Sequence, residues 1–495
     1  MAISGGPLQI PSLMFDSLSL AKRDEMMTSS SSGPIHLTHR FSVLKESLTK
    51  GKETVLTSSW NRLLHELSRE IDLVSALGTL AIPIINFADI ENPQYSEQFL
   101  GQLRLRGVGV IRGVIPQRTA STWWQETQEY IGQSRHPKPQ DVYWSPAQVK
   151  ARACPNILAA QRFVMSIWKS RDPTARVTTS FPITYADRMS VRRPNHDQAH
   201  IGAHVDGGSV ERWEPDGYGR AGTYNEIFQG RWEQYDPWES STRLGVTSDL
   251  YHRTGACSIF RMFQGWLALK PIPSGRGSVH VCPLPRHATA YFLLRPFFSP
   301  RDGTSNNPNT EWSITSPQNS ILHGALPSYA QEIHPSLHPH LQLDRSLVPV
   351  PALEPGDYLI WHPDLIHAIS SPPTSSSSSE QLYPMYMYLP ACPLTQTNAL
   401  YLARQRKAFL RGHPGPDFFE AGAGLSSFGG RREPGGEADH AGHPGVRDVN
   451  DAGGDDGLRA MGLLPWDEEE ALTDHEREVL AMANGILFPD LYDMI

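Results

Sequence analysis

The chain has 495 residues, 39% of them hydrophobic and 9% aromatic, enough to bury one large core or two modest ones. Its 44 Lys and Arg against 52 Asp and Glu give a formal charge of −8, which gives no reason to expect nucleic-acid binding. No apolar run reaches the ~18 residues of a membrane span, and the four cysteines (Cys154, Cys257, Cys282, Cys392) contain no CxxC pair and form no disulfide framework, consistent with a reducing, cytoplasmic setting.

Residues 1–35 are Ser-rich and read as disordered, without the charged and apolar regions of a secretory signal. "FSVLKESLTKGKETVLTSSWNRLLHELSREIDLVSALG" has helical apolar spacing and predicts one or two helices. "IPIINFADI" and "GVGVIRGVIP" predict short strands, and helices follow in "TASTWWQETQEYI", "SPAQVKARA" and "NILAAQRFVMSIWKS". From about residue 180 the pattern changes to short strands and Gly/Pro turns: "ITYADRMSV", "AHIGAHVD", "CSIFRMFQGWLALKPI", "GSVHVCPLP", "DYLIWHPDLIHAIS" and "LYPMYMYLP". Many short strands of this kind predict a β-sandwich or barrel. Residues 299–350, rich in Pro, Ser, Asn and His, read as a long insertion, and "SPPTSSSSSE" as a flexible loop tip. "NALYLARQRKAFLRG" predicts a helix ending at Gly412. Residues 413–457 are Gly-rich and read as disordered. Residues 458–495 form a C-terminal helical segment in which Thr473 and Glu476 open the helix "TDHEREVLAMANGILF".

The chemistry concentrates in "HVDGGSVERWE". A strand places residues i and i+2 on one face, so His204 and Asp206 point the same way, and Gly207 and Gly208 let the chain turn at once. Two such ligands on one strand, with one distant histidine, make the 2-His-1-carboxylate arrangement of non-haem Fe(II) oxygenases. "PGDYLIWHPDLIHAIS" offers His362 and His367 as that histidine. Pro363 interrupts strand pairing between them, and His367, in the continuing apolar segment "LIHAI", is the preferred ligand. A helical alternative through His196, His200 and His204 is broken by Pro194, Asn195 and Gly202. An HxD triplet alone arises readily by chance; the triplet with a distal "GDxxxWHPxxxH" is far more specific.

"GDYLIWHPDLIHAIS" resembles the distal-ligand strand of the phytanoyl-CoA-hydroxylase-like Fe(II)/2-oxoglutarate oxygenases. The wider resemblance is to domain-of-unknown-function family 1479 (DUF1479). It is carried by "YADRMSVRRP", "HVDGGSVERWE", "IFQGRWEQYDPW", "RMFQGWLALKP", "GDYLIWHPDLIHA", "MYLPACPLTQTNALYLARQRKAFLRG" and "ANGILF", over roughly residues 55–412 and the last helix. The resemblance implies an α+β fold with a mainly β core, a double-stranded β-helix (jelly-roll, cupin-like) flanked by helices across 36–412. It implies Fe(II) at His204, Asp206 and His367, with 2-oxoglutarate and O2 as co-substrates and a small molecule as the substrate oxidised. Halogenating relatives replace the carboxylate with a small residue, so Asp206 argues for hydroxylation or a related oxidation.

The far carboxylate of 2-oxoglutarate needs a cation, for which Arg suits best. Many superfamily members carry that Arg about ten residues after the distal histidine, where this chain has "PPTSSSSSE". Arg188 and Arg192, on one face of "YADRMSVRRP" and expected beside the HxD strand, and Arg261 in "SIFRMFQGW" are the candidates in its place. Glu211, Arg212 and Trp213 line the mouth or form a structural Arg–Glu pair with a packed Trp; Gln264, Trp266 and Trp361 read as core. Two other readings compete with the dioxygenase: a cupin-like metal hydrolase or isomerase, and a non-catalytic metal-binding barrel. "GYGRAG" matches GxGxxG by letter but follows no apolar strand, which removes the dinucleotide reading. The substrate and the oligomeric state are not legible.

Overall fold

The computed structural model describes residues 34–133, 141–190, 201–252, 255–275, 278–301, 311–370, 385–418, 437, 440 and 442–492. Nearly all of the predicted N-terminal disordered segment, the Ser-rich loop tip at 371–384 and Arg192 lie outside the described residues.

Two five-stranded sheets position the candidate ligands. The first runs in the order Ile84–Asn86, Val108–Arg112, Tyr358–Trp361, Gln264–Ala268, Tyr386–Tyr388. The second runs Gln331–Glu332, Ile201–Val205, His367–Ile369, Val279–Val281, Val348–Pro349. Only the first pair of strands is parallel; every other pairing is antiparallel.

Register decides which side chains face inward. Trp361 pairs with Gln264 and Val108, and Leu359 with Trp266 and Val110, so these six share one face. That face joins Val205, Val279, Val281 and Val348 of the second sheet in one apolar cluster. The alternate residues, Ile111, Leu267, Tyr358, Ile360 and Met387, pack instead with Phe99, Leu103, Ala120, Trp123, Ile157 and Val164 of the flanking helices. Cover on both faces explains why "YLIW" and "QGWLA" are buried at every position rather than at alternate ones.

The predicted helices form, and Pro93–Arg106 and Pro285–Leu294 add two that the sequence pattern did not mark. The predicted N-terminal stretch gives Arg40–Thr49 and Glu53–Leu77. In the longer helix Leu56, Trp60, Leu63, Leu67, Ile71 and Val74 recur every three or four residues and are buried. Trp60 stacks on Tyr291 and Phe298, at centroid distances of 5.4 and 4.6 Å. Ser145 and Gln148 form a capping box on Pro146–Ala153. Thr395 caps Gln396–Arg411, which ends on left-handed Gly412, and Thr473 caps Asp474–Leu487.

Three segments differ from expectation. Residues 299–350 are not simply an insertion: Gln331–Glu332 and Val348–Pro349 are the two edge strands of the ligand-bearing sheet. Edge strands only two residues long carry too little apolar pattern to stand out in a polar stretch. The predicted disorder over 413–457 is corrected by a helix at Val446–Ala460 that packs on Pro146–Ala153. Its Gly453 and Gly457 are contact points: a Cβ at either would meet Ala153 at 3.0 Å or less. "YADRMSV" does not flank the HxD strand, because Met189–Ser190 pairs with Asp141–Val142. The fold is mixed α and β, and among the described residues no helix is long and apolar enough to cross a membrane.

Candidate metal centre

His204 and His367 face each other across adjacent antiparallel strands as a directly paired couple. Their rings lie 4.2 Å apart, between centroids. Asp206, just beyond the end of the first strand, bridges them: Oδ1 lies 3.5 Å from His204 Nε2 and Oδ2 lies 3.5 Å from His367 Nε2. One donor atom from each residue falls within 4.8 Å of the others, and this is the one such group of His, Cys, Asp and Glu among the described residues. Donors roughly 2.1 Å from a common ion and at right angles to each other sit about 3 Å apart, so the spacing matches a facial set.

The remaining ring nitrogens are already committed. His204 Nδ1 lies 2.8 Å from the Gly202 carbonyl and His367 Nδ1 lies 3.0 Å from the Leu365 carbonyl. A carbonyl only accepts, so each Nδ1 carries a proton, and Nε2, turned toward Asp206, is the nitrogen that a cation would take in place of a proton. Gln264 donates from its amide nitrogen to Asp206 Oδ2 at 2.7 Å. Burial works to raise the Asp206 pKa, but the hydrogen bonds and charge of His204 and His367 outweigh it and hold the carboxyl well below its usual range. The group is therefore an anion set between the Nε2 atoms of two histidines, and a divalent ion could take the place of the protons they share. The turn that follows needs its glycines: Gly207 and Gly208 have φ of +76° and +99°.

His362 is excluded as a ligand. It is fully buried, with Nε2 2.9 Å from the Pro237 carbonyl and Nδ1 accepting from the Asp364 backbone at 3.0 Å. It also stacks on Trp168. Pro363 lies in the crossover by which the chain leaves one sheet after Trp361 and enters the other at His367, so the two histidines belong to different environments.

The three candidate arginines separate cleanly. Arg188 pairs with Asp141 at 3.2 Å and lies over the Phe418 ring, where it is half exposed. Arg192 is outside the described residues. Arg261 lines a cavity with Gly207, Ile259, Phe260 and Pro363, at the root of both ligand-bearing segments. Burial opposes its charge, but Cys257, Tyr185, Asp206 and Asp187 outweigh that and raise its pKa. Among the described residues its guanidinium forms no hydrogen bond or ion pair, and it lies 5.7 Å from the centre of the Tyr185 ring.

Of the residues after the HxD pair, Arg212 is structural and central. Its guanidinium donates to the carbonyls of Asp206, at 2.6 Å, and Gly208. Glu211 accepts from the Ser209 backbone at 2.7 Å, and Trp213 donates to the Leu293 carbonyl at 3.0 Å, so neither lines an open mouth. Trp361 packs 5.3 Å from the His367 ring and Trp266 stacks on Tyr386 at 3.7 Å. Sequence reading placed Gln264 in the core and gave no role to Asp364, Arg243 or Tyr224.

Comparison with known proteins shows which proteins the chain as a whole resembles. Residues 35–463 match a family model described as Gig2-like. The uncharacterised protein YbiU of Escherichia coli K12 is 30% identical over 369 residues, covering 70% of this chain and 82% of the relative. Among solved structures, GlcNAc-inducible gene 2 (DUF1479) from Candida albicans superposes with a TM-score of 0.77 at 27% identity, over 93% of this chain and 97% of that one. The hypothetical protein JW0805 from Escherichia coli gives 0.68 at 28% identity, over 87% and 99%.

Proposed function

The chain belongs to the Gig2-like family, also designated DUF1479, and on that premise we propose that it is a non-haem Fe(II) dioxygenase that uses 2-oxoglutarate to oxidise a small molecule. The observation that carries the reading is the His204–Asp206–His367 set: three donor atoms within 4.8 Å, with both histidine Nδ1 atoms engaged by backbone carbonyls. Two neutral imidazoles and one carboxylate fit Fe(II), a borderline ion that accepts nitrogen and oxygen together, and three ligands on one face leave positions for an oxo-acid and O2. In this reading the two facing sheets form the double-stranded β-helix that the sequence resemblance implies. Bound there, Fe(II) supplies the redox chemistry that couples decarboxylation of the oxo-acid to oxidation of a C–H bond.

The chain's own residues do the rest. His204 and His367 present Nε2, and their carbonyl-bound Nδ1 atoms fix ring orientation and tautomer. Asp206 contributes the charge that two neutral imidazoles lack, and Gln264 orients it. Arg261 takes the far carboxylate of the oxo-acid, as the buried cation of the cavity beside the triad, coupled to Asp206 and Asp187 but in no direct ion pair among the described residues. Trp361, 1% exposed and packed against His367, excludes water from that side.

The test is anaerobic titration of the protein with Fe(II), then with 2-oxoglutarate, followed in the visible region. A weak charge-transfer band that appears only with both supports the reading. Iron binding without the band keeps the metal centre and discards the co-substrate. Oxygen-independent turnover with another divalent ion would indicate a cupin-like hydrolase or isomerase.

A further inference from the structure

The two arms of the metal centre come from distant parts of the chain, and the ladder between them is irregular where precision is needed. His367 pairs with His204, but Ile369 pairs with Ile201, so the register slips within two residues of the ligand. Asp206 itself lies past the end of Ile201–Val205, beyond the His367–His204 pair, so the ladder does not fix its distance to His367.

A buried charge cluster spans the same gap. Asp364, 1% exposed and three residues before His367, accepts from Arg243 Nη2 at 2.6 Å, Tyr224 Oη at 3.0 Å and Tyr235 Oη at 3.4 Å. Arg212 Nη2 lies 3.9 Å from its other oxygen. Arg212 has no exposed surface, and the same guanidinium holds the carbonyls of Asp206 and Gly208. One side of the cluster thus grips the backbone of a ligand, and the other is rooted in the segment that carries the opposite ligand. Burying two guanidinium groups and a carboxylate costs more than packing apolar side chains of equal volume. What an apolar cluster would not supply is the directional hold on the Asp206 carbonyl.

We propose that Arg212 and Asp364, with Tyr224 and Arg243 behind them, form a clamp that sets the separation of Asp206 and His367 and so tunes metal affinity. They are positioning residues: neither touches the ion. The inference rests on the metal-centre reading but not on the identity of the reaction.

The experiment is anaerobic Co(II) titration of the full chain, read as dissociation constant and visible spectrum, for wild type, Arg212→Lys, Asp364→Asn and Tyr224→Phe. Arg295→Lys serves as the control, because Arg295 is also buried, at 5% exposure, but bonds to the Leu337 and Phe298 carbonyls rather than to a ligand-bearing segment. The clamp predicts a loss of about 10- to 100-fold in Co(II) affinity for Arg212→Lys and Asp364→Asn, as for other groups that orient metal ligands. It also predicts an altered Co(II) spectrum, a smaller change of the same sign in Tyr224→Phe, and no change in Arg295→Lys. Should the first two variants fail to fold, Tyr224→Phe, which loses only a hydroxyl, decides alone. Wild-type affinity and spectrum in the folded clamp variants would overturn the clamp and leave the metal centre intact. A wild-type protein that binds neither Co(II) nor Fe(II) would overturn both.

Discussion

Gln264 donates its amide hydrogen to Asp206 Oδ2 at 2.7 Å, and in doing so ties the first sheet to the carboxylate of the metal centre on the second. Gln264 is 2% exposed, so this hold on Asp206 comes from the core. Gln264→Leu should therefore leave the fold in place, free Asp206 to rotate, and weaken Fe(II) binding by about 10- to 100-fold. Gln264→Glu should weaken it differently, by setting a second carboxylate against the first. Isothermal titration with Fe(II) under anaerobic conditions checks both. Unchanged affinity in the Leu variant would show that the two histidines alone fix the carboxylate.

His362 and His367 should behave oppositely on removal. His367→Ala should abolish stoichiometric Fe(II) binding while keeping a native circular dichroism spectrum. His362→Ala should keep one Fe(II) per chain but lower the melting temperature, because it deletes a buried ring stacked on Trp168 and bonded to the Pro237 carbonyl. Loss of a buried ring and its hydrogen bonds costs about 3 kcal/mol or more. Iron retained by His367→Ala and lost by His362→Ala would exchange their roles.

The candidate pair His204 and Asp206 could be read from the sequence because it is local: residues two apart on a strand share a face whatever the strand pairs with. His367 was preferred over His362 for its place in the apolar segment "LIHAI", with Pro363 separating the surroundings of the two. Gln264, 58 residues beyond Asp206, was not legible, since its role depends on which sheet faces which. Asp364 was hidden for the same reason, because its partners Tyr224, Tyr235 and Arg243 come from 3-10 and helical turns with no periodic signal. Composition misled at Val446–Ala460, where Gly453 and Gly457 permit close packing on Ala153 rather than freedom.

Arg261→Leu tests the co-substrate site. Loss of a charge-assisted bond to a carboxylate, worth about 1.5–3 kcal/mol, corresponds to about 10- to 100-fold weaker binding of 2-oxoglutarate. Fe(II) affinity should hold or tighten, since a cation coupled to Asp206 has been removed. Arg188→Leu should leave both unchanged, because Arg188 is paired with Asp141. Titration of the Fe(II)–oxo-acid band measures all three. Full 2-oxoglutarate affinity in Arg261→Leu would place the far carboxylate elsewhere.

Glu437 should make stability fall as pH rises through the weakly acidic range. Burial raises its carboxyl from the ordinary 4.5 to about 7, against the opposing backbone N–H groups of Tyr143 and Trp144 and the Tyr130 hydroxyl. Between those two values the folded chain holds a proton that the unfolded chain has released. The stabilisation is thus fully present below pH 4.5 and is lost as pH climbs through 7, with a slope of at most about 1.4 kcal/mol per pH unit from this group. Glu437→Gln keeps an acceptor for Tyr130 and Trp144 but cannot titrate. Urea unfolding from pH 4.5 to 8 should therefore show a flatter profile in Glu437→Gln than in wild type, with the variant gaining most at the alkaline end. Parallel profiles would mean that Glu437 titrates alike in the folded and unfolded chains.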